Sequence, residues 1–369
     1  MKTPRLERPG FPKLPLPLPI PYPPMEATRA ETLPEGEGWQ FEPKWDGFRC
    51  MVFRWQDEIV LQSKAAQPLA RYFPELVAGF RELRADAFAL DGEIVIPVNG
   101  VLSFDDLLQR IHPAESRISK LSRETPAKYF AFDLLYEAHA GLLVDHPLSV
   151  RRTHLERFLT DLPSHSPIEL SPATRDRTLA LEWFKNMSMM GLDGVIAKNA
   201  EERYHTGDRE AMIKIKHLKT ADCVVGDFRY SSAKIGSLLL GLYDDAGLLN
   251  FVGHTSSFSN AERNELVKSL SLLQGGTGFT GKAPGGLSRW SAKRNMDWVP
   301  LLPRLVCEVR YDYFSQNRFR HGSVFLRWRP DKDPKSCTME QVLPQRSYQW
   351  KGIGQANSGD TTPHQQMES

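Results

Sequence analysis

Three strand-like runs of this chain carry charge where core side chains belong. Asp91-Gly92-Glu93 stands between Phe88-Ala-Leu90 and Ile94-Val-Ile96, so a carboxylate takes a place that a buried strand would give to an apolar residue. Asp193-Gly194-Val195-Ile196-Ala197-Lys198 sets an acid and a lysine at the two ends of an apolar run. Met212-Ile213-Lys214-Ile215-Lys216 alternates with period two, which turns Lys214 and Lys216 to one face. Two ammonium groups on a buried face are costly unless an anion lies there. Phe41-Glu-Pro-Lys44-Trp-Asp46-Gly-Phe-Arg49 adds another lysine, beside an Asp-Gly turn pair. Taken alone, Lys44-x-Asp46-Gly47 is a pattern that ordinary turns produce. Together the four stretches converge three or four cations and three carboxylates on one cleft, which suits a nucleotide phosphate with a divalent metal.

The 369 residues suffice for two or three domains, and the charges nearly balance at a formal +2. With 41% hydrophobic and 25% charged residues, the composition excludes a largely disordered chain, a coiled coil or a collagen-like protein. No apolar run approaches the ~20 residues of a membrane span, and the first residues lack the apolar core and cleavage site of a secretory leader, so none is expected. Cys50, Cys223, Cys307 and Cys337 lie far apart without metal or disulfide spacing, so a reducing, cytoplasmic setting is expected.

Residues 1–24 hold nine prolines and Lys2, Arg5, Arg8 and Lys13, which predicts an extended strap across the domain surface; a partner-docking arm is the competing reading. From there to residue 219, strands are expected at Phe88–Val98 and Tyr129–Tyr136, and helices at Pro74–Arg84, about Phe104–Ile111 and about Ala173–Met190, the last closed by Gly191. Asp105 and Asp106 read as helix-start residues rather than metal ligands. Residues 220–345 show short β-like runs (Cys223–Tyr230, Ser237–Tyr243, Leu248–Val252, Leu305–Tyr313) and one helix started by the capping-box spacing Ser259 to Glu262. That texture predicts a small barrel of the OB kind, with a domain boundary near His217–Ala221. Residues 346–369 read as a polar tail.

The ordered set KWDGFR, DGE, YFAFD, GLDGVIAK, IKIK and RPDK resembles the ATP-dependent DNA ligases of the covalent nucleotidyltransferase superfamily, and most resembles the small bacterial C-type ligases. The resemblance runs from about residue 25 to 345. It implies an α+β fold: a nucleotidyltransferase domain with ATP-grasp-like antiparallel sheets, then an OB-fold barrel. It further implies sealing of 5′-phosphate/3′-hydroxyl nicks in duplex DNA through lysyl-AMP and DNA-adenylate intermediates, with ATP and Mg²⁺ (or Mn²⁺) as cofactors.

Residue by residue, the resemblance puts AMP on Lys44, whose amine must be neutral to attack although free lysine titrates near 10.4. Glu42 should face the adenine amino group, Phe132 stack on the ring, and Arg49 and Glu93 hold the ribose region. Lys198, Lys214 and Lys216 should contact the phosphate. Asp46, Glu93 and Asp193 are the expected metal carboxylates, and Arg329 and Lys332 should orient the pyrophosphate. Three positions depart from the pattern: Asp193 for Glu, Met212 for Trp, and Lys64 where relatives carry Arg, which weakens bidentate phosphate contact there.

From Lys282 to Glu340 there are twelve Lys or Arg against six Asp or Glu, interleaved with aromatic residues, as suits a phosphodiester backbone. The expected protein acts on the nucleoid as a monomer, with a primase-polymerase or other repair protein as partner. The rival readings are an RNA ligase or mRNA guanylyltransferase of the same superfamily, and a non-catalytic OB-fold nucleic-acid-binding protein.

Overall fold

The computed structural model describes residues 10–186, 192–216, 219–231, 234–284 and 298–343. The described residues up to 216 form one compact unit and those from 219 to 343 a second, each around its own core. Among the described residues, no helix is long and apolar enough to cross a membrane.

The strands of the first unit are β1 (Thr28–Ala30), β2 (Trp39–Lys44), β3 (Phe48–Trp55), β4 (Glu58–Ser63), β5 (Ala87–Val95), β6 (Lys128–Glu137), β7 (Ile168–Leu170), β8 (Gly194–Asn199) and β9 (Met212–Lys216). They make two sheets, ordered β1-β9-β8-β2 and β7-β6-β5-β3-β4. The run Phe88–Val98 is not one strand as expected. Pro97 has no N–H for the ladder, so β5 stops at Val95; Pro97–Val98 then pairs with Val101–Leu102 across a turn in which Asn99 and Gly100 adopt positive φ.

Helix α1 (Pro74–Arg81) begins on its proline, and α2 (Phe104–Gln109) on Ser103, whose Oγ accepts from the Asp106 N–H. Two helices escaped the sequence reading. One is α3 (Glu115–Glu124), in which Ile118 is the buried residue; the other is α4 (Leu148–Phe158), which turns Arg151 and Arg152 toward the core beside Leu148 and Leu155. Arginines on the inner face erase the apolar period from which helices are read. The expected Ala173–Met190 helix is α5 (Arg177–Asn186); residues 187–191, with the expected Gly191 stop, lie outside the described residues.

The Pro-rich arm is extended, but from residue 10 onward it is no mere surface strap. Leu18, Tyr22 and Met25 are buried against Met51, Phe53 and Val60. Tyr22 N–H donates to Gln62 Oε1 (2.9 Å), and Gln62 Nε2 donates back to the Tyr22 carbonyl (2.8 Å). Residues 1–9, including Lys2, Arg5 and Arg8, lie outside the described residues.

The second unit is built from β10 (Lys219–Ser231), β11 (Lys234–Tyr243), β12 (Leu249–Thr255), β13 (Val306–Tyr311) and β14 (Val324–Trp328) in the antiparallel order β12-β11-β10-β13-β14. A bridge from Thr255 to Ser323 brings the two ends of that order together, and bulges in the β10–β11 pair bend it, as a small closed barrel requires. Helix α6 (Asn260–Ser271) opens with the expected capping box and buries Leu266 and Leu270. Cys223 is fully buried in this core. Residues 217–218 at the expected boundary, and the tail from 344, are outside the described residues.

Candidate active site

The floor of the site is a three-strand ladder. Register pairs Lys44 with Gly194 and Gly194 with Lys216; Glu42 with Ile196 and Ile196 with Lys214; Gln40 with Lys198 and Lys198 with Met212. Paired residues point the same way and alternate residues share a face, so these three rows form one surface. The opposite parity, Phe41, Val195, Ala197 and Ile215, is buried in the core behind it. Period two in three short strands therefore gathers the lysines on one side and the apolar anchors on the other.

A cavity of about 320 Å³ opens on this surface, lined by Glu42, Lys44, Ile196, Lys198, Met212, Lys214 and Lys216. The second sheet contributes Arg49, Glu93 and Phe132. A further wall comes from the end of the arm and the residues that continue it: Pro24, Met25, Glu26 and Ala27.

Lys44 ends β2, and the next residue, Trp45, fixes the exit of the chain by stacking on Phe130 (centroids 3.8 Å apart) and donating to Ser171 Oγ (2.9 Å). Lys44 Nζ lies 2.6 Å from Asp193 Oδ2, and Lys216 Nζ lies 3.1 Å from the same oxygen. Burial pushes the Asp193 carboxyl up, but Lys44 and Lys216 outweigh it and hold it below the ordinary carboxylate range. Gly194 follows with φ +148°, where an added Cβ would sit 2.0 Å from the Ile215 carbonyl; the chain can come this close to β9 only as glycine. Lys214 is pulled below the ordinary lysine value by desolvation first, then by Lys64, Lys44, Lys216 and Arg209.

At the other end of the floor, Lys198 Nζ is 2.8 Å from Glu42 Oε2, whose second oxygen accepts from Gln40 Nε2 (2.7 Å). The Lys198 ammonium lies 4.4 Å from the Phe132 ring centroid and the Arg49 guanidinium 4.5 Å from it. Sequence reasoning expected Lys198 at the phosphate; here it is paired with the residue expected at the adenine. Glu93 is pushed up to about 7 by burial; Arg49 and Lys44 oppose the shift, while Asp46 and Asp91 add to it. Lys64 is exposed, 3.2 Å from Glu26 of the arm. Glu26 is held below the usual range by hydrogen bonds from Lys64 and Arg209.

Arg329 and Lys332 belong to the second unit, where both hold Asp222: Arg329 Nη1 at 3.0 Å and Lys332 Nζ at 3.3 Å. Arg329 also hydrogen-bonds Asp331, whose carboxyl falls to about 2 as a result.

Sequence reasoning missed Asp91, Tyr204 and the arm wall. Asp91 is wholly buried and takes Arg49 through Nε and Nη2, both at 2.6 Å. Its signal was visible in the Asp91-Gly92-Glu93 run, where an acid stood among core residues. Tyr204 gave none, since its partners Met25 and Asp91 lie more than a hundred residues away in sequence. Among the described residues, no cluster of three or more His, Cys, Asp or Glu side chains is arranged to hold a metal.

Known proteins are similar to this chain along most of its length. The family described as ATP dependent DNA ligase domain matches residues 24–216, and the ATP dependent DNA ligase C terminal region matches residues 231–332. DNA ligase C1 of Mycolicibacterium smegmatis is 42% identical over 331 residues, covering 86% of this chain and 93% of its own length. The multifunctional non-homologous end joining DNA repair protein LigD of Mycobacterium tuberculosis is 31% identical over 310 residues, covering 82% of this chain and 37% of its own. Among solved structures, one from a study of Lig E DNA ligases is similar in fold, with a TM-score of 0.52 at 16% identity, covering 83% of this chain and all of that one.

Proposed function

The chain belongs to the ATP-dependent DNA ligases, and from that premise we propose that Lys44 is the nucleophile that carries AMP in each cycle. The observation that supports it most is the position of Lys44 Nζ, 2.6 Å from Asp193, on a floor shared with Lys214 and Lys216. Lys44 attacks the α-phosphorus of ATP, forming a P–N bond as the bond to pyrophosphate breaks. The adenylate passes to the 5′-phosphate of a nick, and the 3′-hydroxyl then displaces AMP to close the strand.

Asp193, held low, is a poor proton acceptor; its part is to aim the Lys44 side chain and keep Lys216 beside it. Lys214 and Lys216 face charge developing on the phosphate, Phe132 and Glu42 take the adenine, and Arg49 and Glu93 the ribose side. Lys198, paired with Glu42, serves the adenine end first. Lys64 adds positive charge at the mouth.

Glu93, pushed up to about 7 by burial and near Asp46, is a desolvated carboxylate whose charged form a divalent cation would stabilise. Asp46 and Glu93 would hold Mg²⁺, or Mn²⁺ in its place, which supplies neutralisation of phosphate charge. Asp193, occupied by two ammonium groups, would reach it through water. The substrate is a nicked duplex, and likeness to a relative named for end joining and DNA repair supports a repair role.

Intact mass after incubation with ATP and Mg²⁺ tests the nucleophile. Wild type should gain one adenylate that pyrophosphate removes, and Lys44→Ala should gain none. An adduct that persists in Lys44→Ala would move the nucleophile elsewhere.

A further inference from the structure

Tyr204 does not line the cavity, yet it completes a hydrogen-bonded ring around two residues that do. Its hydroxyl donates to Asp91 Oδ2 (2.6 Å) and accepts from the Met25 N–H (2.9 Å). Asp91 receives Arg49 Nε and Nη2, and Arg49 Nη2 also reaches the Met25 carbonyl at 3.3 Å. Met25 of the arm is therefore held at both its N–H and its carbonyl, and the ring closes through Tyr204, Asp91 and Arg49. Met25 and Arg49 line the cavity; Asp91 and Tyr204 are buried behind them.

We propose that Tyr204 is a positioning residue for ATP binding, locking Arg49 and the Met25 wall into one arrangement and so making the Pro-rich arm part of the nucleotide site. This rests on the assignment of Arg49 to the ribose side. Burial pushes the Tyr204 phenol well above its ordinary value, so the hydroxyl stays a donor at working pH. Removing it takes one of three donors from a fully buried carboxylate and leaves the Met25 N–H without its acceptor, an unmade pair that misplaces Arg49 rather than deleting it. The ring of Tyr204, stacked against Tyr22, survives in phenylalanine.

The test is self-adenylation kinetics of the full chain with Tyr204→Phe and Arg49→Ala. Tyr204→Phe should raise the KM for ATP about tenfold while changing kcat by less than about twofold. Arg49→Ala should raise KM at least as much. An unchanged KM in Tyr204→Phe beside a raised KM in Arg49→Ala overturns the proposal, and a lowered melting temperature with unchanged KM overturns it equally. If Arg49→Ala leaves KM unchanged, the placement of Arg49 in the ATP site is what has failed, and the proposal falls with it. Should Tyr204→Phe not fold, Gln62→Ala, which loosens the arm at Tyr22 without touching the cavity, must raise KM in the same way; an unchanged value there is also fatal.

Discussion

Lys44, Asp193 and Lys216 show how one carboxylate can serve two cations with different tasks. Asp193 pairs with both, so its loss takes the shared carboxylate from between two ammonium groups. Asp193→Asn should fold normally and slow single-turnover AMP transfer to Lys44 by about tenfold or more, since asparagine keeps the shape but not the charge. A rate equal to wild type would remove Asp193 from the orientation of Lys44. Glu42 is engaged by Gln40 and Lys198 together, and Glu42→Gln should weaken discrimination of ATP from GTP, read as the ratio of adenylation and guanylation rates. An unaltered ratio would place base recognition on other residues.

At the level of elements, the face shared by Lys214 and Lys216 was legible because Met212–Lys216 alternates with period two, and the ladder extends that parity through β8 to β2. The joint at Gly194 is the narrow point of that ladder. Gly194→Ala should push β8 off β9, displace Asp193 from Lys216, and cut adenylation by about a hundredfold in a folded protein, as far-UV circular dichroism and AMP transfer together would show. What stayed illegible has a common cause. Helix α4 hides behind core-facing Arg151, which is held by Asp133 at 2.8 and 3.0 Å, and the arm wall depends on partners far along the chain. Periodicity reports local alternation and says nothing about a buried ion pair or a distant hydroxyl.

Strand β10 carries a second consequence of burial. Asp227 is 2% exposed, its Oδ1 finds no hydrogen-bond partner among the described residues, and burial pushes it up to about 6 against the pull of Arg229. An unfolded aspartate titrates near 3.9, so between roughly pH 4 and 6 the folded form keeps a proton that the unfolded chain releases. Stability of this unit falls as pH rises through that window and levels off above it. Asp227→Asn should flatten that slope in thermal unfolding; an unchanged slope would assign the pH dependence to other groups.

On the scale of the whole molecule, each unit has its own core, and every residue lining the cavity lies in the first. A ligand stabilises what it binds, so ATP should raise the calorimetric transition of the first unit and leave that of the second in place. A single transition moving as one would show that the two cores unfold together. The arm has a further consequence, in the order of synthesis. Residues 10–28 leave the ribosome well before Tyr204, Thr206, Asp208 and Arg209, to which Met25, Pro23, Glu26 and Thr28 are hydrogen-bonded and which emerge almost two hundred residues later. Through that interval the arm has Arg49 and Gln62 within reach but not the segment around Tyr204. Nine prolines among residues 1–24 leave it few N–H groups to offer to passing strands, so the segment that must wait for the Tyr204 region is poorly able to pair wrongly before its place is complete.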